Sequence, residues 1–163
     1  MTLRLTLAHF FVLVLLFTGT FHEISFSADS LRLKPGIPVV LSASESLPVR
    51  RAARDLCRDL EWVLKMPSPL LETLPDKAGA AIVISSIEKD SSLSGQEAHA
   101  ITVRGNQVLL HGTDMRGAIY AIYSFSEHFL DMPPWWFWAN WKPRTADFIE
   151  IPNDTQLIWK APR

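Results

Sequence analysis

Apolar residues in this chain change period, from strand to helix and back, within a short length of sequence. Val49, Ala52, Ala53, Leu56, Leu60, Val63 and Leu64 recur at helical spacing, while Arg51, Asp55, Arg58, Glu61 and Lys65 fall mostly on the opposite side. Ser46 stands where an N-cap belongs, Pro48 lies in the first turn, and Pro67 and Pro69 stop the helix. Arg51 with Asp55 and Glu61 with Lys65 are i,i+4 pairs worth a few tenths of a kcal/mol each. On either side of this helix the period is that of strands. Ile37 to Ser42 is a β-branched run after Pro35-Gly36, and Ala80 to Ser86 is an unbroken apolar run of strand length, as expected of a strand buried on both faces. A helix of one apolar face and strands of this kind cannot each bury themselves alone, so they must share layers.

The second half repeats the pattern. After a polar, Ser-rich loop over Glu88 to Glu97, Ala100 to Val103 and Gln107 to His111 flank Arg104-Gly105-Asn106, which predicts a hairpin with Gly and Asn supplying positive φ. Gly112-Thr113-Asp114-Met115-Arg116-Gly117 then opens a second helix, with Thr113 or Asp114 as N-cap. Ala118, Ile119, Ile122, Phe125 and Phe129 form its apolar face, and Pro133-Pro134 ends it near Asp131. Asp147 to Ile151 alternates as an edge strand would and Pro152 closes it; the tail to Arg163 has no period and reads as a linker. The order strand, helix, strand, hairpin, helix, strand predicts an α/β fold: a two-layer domain, a mixed sheet with two main helices packed against it.

Of the 163 residues, 48% are hydrophobic and 20% charged, which fits one globular domain. Leu5 to Phe17 is almost purely apolar, follows Arg4 and precedes Ser25-Phe26-Ser27, so residues 1–27 read as a secretory signal peptide. At about 13 residues the apolar run is shorter than the roughly 20 that span a bilayer. The expected destination is therefore secreted or periplasmic, without membrane attachment once the signal is removed. A net charge of −1 with interspersed signs offers nothing to nucleic acid. Cys57 is the single cysteine, so packing rather than a disulfide must stabilise the domain.

Little in the sequence points to chemistry. Glycoside hydrolysis needs two carboxyl groups roughly 5 to 10 Å apart across a cleft. Glu127 and Asp131 instead lie one turn apart near a helix end, and Asp114 lies at the other end, as a solvated helix face would have them. His99, His111, His128 and Cys57 show no metal-ligand spacing, so neither a metal nor a cofactor is expected. Cys57 reads as filler on the apolar face of the first helix. The turn Gly112, Thr113, Asp114, Arg116, Gly117 could in principle cradle an anion, but it lacks the spacing of a dinucleotide or phosphate loop. Gly112 is expected to make the turn and Gly117 to let the helix approach the sheet. Asn153-Asp154-Thr155 is a glycosylation sequon.

The aromatic segment is different. Trp135, Trp136, Phe137, Trp138 and Trp141 put five large rings in seven residues. Each ring buries on the order of 150 to 250 Å², more than the core of so small a domain can absorb from one short loop. An interface with a neighbouring domain is the leading reading, with ordinary core and rim packing and direct stacking on a glycan as alternatives.

These residues carry a resemblance. The run Gly112-Thr113-Asp114-Met115-Arg116-Gly117-Ala118-Ile119-Tyr120-Ala121-Ile122-Tyr123, Ser126-Glu127 within the helix, and the Trp-rich ending through Trp141 resemble the N-terminal domain of the glycoside hydrolase family 115 α-glucuronidases, over about Pro38 to Pro152. A similar domain precedes the barrel in family 67 α-glucuronidases and several hexosaminidase families. The resemblance implies a non-catalytic support, with the residues that remove 4-O-methylglucuronic acid from xylan in a following (β/α)8 barrel, which takes about 250 residues. It implies no catalytic residue here, and a division into a signal at 1–27, the α/β domain at 28–152 and a linker or truncated tail at 153–163. The barrel, in cis or in trans, is the expected partner and a xylan-type polysaccharide the possible ligand. The alternative is a stand-alone carbohydrate-binding or protein-interaction module built on the same rings.

Overall fold

The structure of the protein, a computed structural model, describes residues 29–76, 79–86, 93–136 and 138–160. Its sheet of six strands runs β3 (Leu70–Leu71), β2 (Val39–Leu41), β4 (Ala81–Ser85), β6 (Gln107–Gly112), β5 (His99–Arg104), β8 (Gln156–Trp159). The first four are mutually parallel; β5 is antiparallel to both β6 and β8. The sheet is therefore mixed, and helices α1 (Leu47–Leu64) and α2 (Met115–Leu130) pack on it. This is the expected two-layer α/β domain. The expected signal peptide and residues 88–92 of the expected loop lie outside the described residues.

Register explains the layering. Val39, Ile82, Val108 and Val103 stand side by side across four strands, as do Leu41, Ile84, Leu110 and Ile101, and all eight are buried. They meet Leu56, Leu60 and Val63 of α1 and Ala118, Ile122 and Phe125 of α2 in one core. Each fully buried branched side chain there contributes about 1.5 to 3 kcal/mol. β5 and β6 form the expected hairpin with a two-residue loop, Gly105-Asn106. Only Gly105 is left-handed, at φ 57°, the pattern of a type II′ turn; Asn106 supplies no positive φ.

Several expectations need correction. The tail is not without structure, because Gln156–Trp159 pairs with His99 to Thr102 as β8. Its partner is an open sheet edge, which recruits a short strand that has no period strong enough to read alone. The predicted Asp147 to Ile151 strand forms as β7 (Ile149–Pro152), in a separate antiparallel pair with β1 (Ser30–Leu33). Leu33, Ile149 and Ile151 of that pair are buried in the common core. Ser46 occupies the N-cap position of α1, but its hydroxyl caps nothing. Pro48 removes the N–H at the second helical position, one of the two donors such a cap uses. Asp55 is bridged by Arg58 at 2.6 Å rather than by Arg51.

Candidate functional site

Helix α2 separates the two groups of residues singled out by sequence. Its 16 residues, about 24 Å of helix, place them at opposite ends, so they do not form one site.

At the N-terminal end every group is used internally. Asp114 is the N-cap, accepting from Gly117 N–H at 2.8 Å and from Glu97 N–H at 2.9 Å. Those two bonds, Gly117 first, hold its carboxyl below the usual range. Thr113 Oγ1 donates to Gly95 O at 2.7 Å, and Arg116 bridges Glu97 at 2.6 Å while its guanidinium donates to the Tyr120 hydroxyl. The helix N-terminus thus faces its own carboxylate rather than an external anion. A Cβ on Gly117 would lie 2.5 Å from Ala98 O, and one on Gly112 would lie 2.0 Å from Ala118 N. Gly112 is needed for this close approach and not for a positive φ.

At the C-terminal end the chain turns outward. Asp131 closes α2 in the left-handed region at φ 55°, Met132 is buried, and successive turns follow from Pro133 O to Trp136 N–H and from Trp136 O to Trp141 N–H. Trp141 Nε1 donates to Asp131 O at 2.9 Å, and Trp135 meets Trp141 edge-on at 6.0 Å between centroids. Trp136 reaches back to α1, where Trp62 lies 5.8 Å away. The loop returns through Ala146, whose N–H donates to Val63 O. Trp136 packs partly against the core, whereas Trp135 is 53% exposed and Trp138 86%. Phe137 lies outside the described residues.

Trp136 also lines a cleft of about 240 Å³ with Asp55, Asp59, Tyr123 and Ser126, to which the sequence assigned no site role. Ser126 donates to Asp59 at 2.8 Å, and Tyr123 donates to Asp55 at 2.9 Å, each bond joining α2 to α1. Asp59 is 7% exposed, and this burial pushes its carboxyl up to about 6, against the lowering effect of the Ser126 hydroxyl. Tyr123 is pushed up to about 12, first by burial and then by Asp55, so it remains a neutral donor. A signal existed: Asp59 lies three residues after Leu56 and four before Val63, on the buried stripe of α1. A carboxylate in an apolar helical stripe marks a polar contact inside the fold.

Among the described residues the histidines stack or hydrogen-bond within the fold. His99 stacks on Trp159 at 4.8 Å and 7°, His128 meets that indole edge-on, and His111 faces Thr102 Oγ1 at 3.2 Å. Among the described residues no three His, Cys, Asp or Glu side chains group to hold a metal ion. Among them, too, no helix is long and apolar enough to cross a membrane. Cys57 is half-buried, its thiol pushed up to about 11 by burial.

With this geometry, the chain superposes on a solved family 115 4-O-methyl-α-glucuronidase with specificity for decorated arabinogalactans, at a TM-score of 0.68 and 20% identity over 78% of this chain. The fold is family 115-like. This chain spans 18% of that enzyme's chain. Other neighbours are also glycoside hydrolases. The family 20 exo-β-N-acetylglucosaminidase of Vibrio harveyi has a TM-score of 0.49 at 12% identity, covering 82% of this chain and 17% of its own. The N-acetyl-β-hexosaminidase of Streptomyces plicatus has 0.46 at 12%, covering 74% and 23%. No protein-family model and no curated protein matches the sequence.

Proposed function

We propose that this chain is the non-catalytic N-terminal domain of an extracytoplasmic glycoside hydrolase of α-glucuronidase type. It acts on xylan side chains together with a (β/α)8 barrel, supplied in cis or in trans. One observation carries the reading: a fold like that of a family 115 enzyme, spanning 18% of that enzyme's chain, leaves Trp138 86% exposed at the end of a short, hydrogen-bonded loop. Rings so placed lower the free energy of the whole only when a second surface covers them. Within the domain, which β8 extends from the expected 28–152 to Trp159, the residues 112–117 hold helix to sheet, and Trp135, Trp136, Trp138 and Trp141 meet the barrel. Residues 1–27 direct export, and the chain that follows β8 leads toward the barrel.

Tryptophan fluorescence tests this. Addition of a separately produced family 115 barrel should shift the emission, and Trp138→Ala should abolish most of the shift. Xylan fragments alone should leave the emission unchanged. The same exposed indole favours one second reading, a carbohydrate-binding module that stacks sugars on Trp138. Saturable quenching by xylo-oligosaccharides in the isolated chain would establish that module and remove the docking role. The family 115 neighbour is described as specific for decorated arabinogalactans, so assays of the assembled enzyme on both polymers decide whether xylan is the substrate.

A further inference from the structure

Resting on the docking role proposed above, we infer that the cleft between α1 and α2 receives one arginine side chain from the partner domain. Asp59 lines the cleft and is 7% exposed, with the Ser126 hydroxyl as its hydrogen-bond donor. Arg58, the cation that lines the cleft, is bridged to Asp55 at 2.6 Å, and Asp55 also accepts from Tyr123. Asp59 has no ion pair among the described residues and feels the Arg58 charge without contact, so two carboxylates share one cation and the cleft keeps one negative charge. A shielded carboxylate in that condition is costly, and a cation delivered to it removes the cost.

The walls select which cation. Trp136 and Tyr123 line the same cleft as Asp59, and a planar guanidinium can lie against rings while its N–H groups donate to a carboxylate. Lysine offers a compact, strongly hydrated charge that gains less from such walls. The arginine comes from the partner because the cleft shares Trp136 with the aromatic surface: Trp62 packs on that ring and Trp135 and Trp138 stand exposed in the same loop. Closing the domain onto a second body would therefore bury rings and carboxylate together. Acidification that protonates Asp59 removes the attraction, and the surrounding Asp55, Arg58 and Tyr123 fix the remaining charge.

N-acetyl-arginine amide is the probe, its uncharged isostere N-acetyl-citrulline amide the control, and the Trp136 indole and Ser126 amide resonances the readout. Arginine is expected to shift both signals saturably, at least tenfold more tightly than citrulline and more tightly at pH 7.5 than at pH 5. Asp59→Asn should weaken binding at least tenfold, and Glu127→Gln on the outer face of α2 should leave it unchanged. Asparagine can still accept from Ser126, so loss of binding in a folded Asp59→Asn domain reports the charge. Equal shifts with citrulline, or binding indifferent to Asp59→Asn, overturn the inference. If arginine leaves the cleft unmoved while a barrel still shifts the emission of Trp138, the arginine fails and the docking role stands.

Discussion

The two ends of α2 are built on opposite plans. At its start, Asp114, Thr113 and Arg116 bond to Gly117, Gly95 and Glu97, and the backbone packs so closely that no Cβ fits at Gly112 or Gly117. At its end, a loop tied by its own backbone carries Trp135 and Trp138 into the solvent. The contrast separates what the fold needs from what it presents. Tight, internally satisfied contacts are the mark of structure, while large rings held in order without being buried are the mark of a surface meant for something else.

Substitutions should respect that division. Gly117→Ala drives a methyl to 2.5 Å from the Ala98 carbonyl, backbone that cannot move aside cheaply, so the cost is expected at the upper end of the usual overpacking range, about 3 kcal/mol. A markedly lower denaturation midpoint is the expected result; a Gly117→Ala domain as stable as the parent would break the comparison. Next in size is the pH dependence from Asp59. Its folded carboxyl titrates near 6 against 3.8 as the unperturbed value, so the folded state holds the proton more tightly. The associated stability is fully present below about pH 4 and is lost as pH rises through about 6, at most about 3 kcal/mol in all. Asp59→Asn should flatten this part of the stability profile between pH 4 and 7. An unchanged profile would show that the carboxyl is better solvated than its 7% exposure implies.

Asp114→Ala should cost about 1 to 2 kcal/mol in urea denaturation, because it frees the N–H groups of Gly117 and Glu97 at once. Asp114→Asn should recover part of that loss. Smallest is Trp138→Ala, expected to change stability by less than about 0.5 kcal/mol, as for an exposed site. A loss of several kcal/mol there would make the ring part of the structure and blur the distinction between the two ends of the helix.

Much of the scaffold was legible because it obeys local rules. The stripe from Val49 to Leu64, the apolar run at Ala81–Ser85 and the turn at Gly105 each encode their element within a few residues. β8 and β1 were not legible, since four-residue strands are decided by the edge or partner they find: Trp159 by His99, Ser30 by Pro152. The aromatic loop announced itself by composition. The cleft did not, because Asp55 and Tyr123 are 68 residues apart and Asp59 and Ser126 are 67 apart, and only the packing of α1 on α2 brings them together. Asp59 alone broke the pattern of its own helix, which in a single sequence is a faint signal.

The most direct test of a docking domain without chemistry of its own is release of 4-O-methylglucuronic acid from glucuronoxylan, measured for this chain alone, for a family 115 barrel alone and for the two mixed. The account predicts no release by the chain alone and more release by the mixture than by the barrel, with the gain lost in Trp138→Ala. Release by the purified chain alone would contradict it.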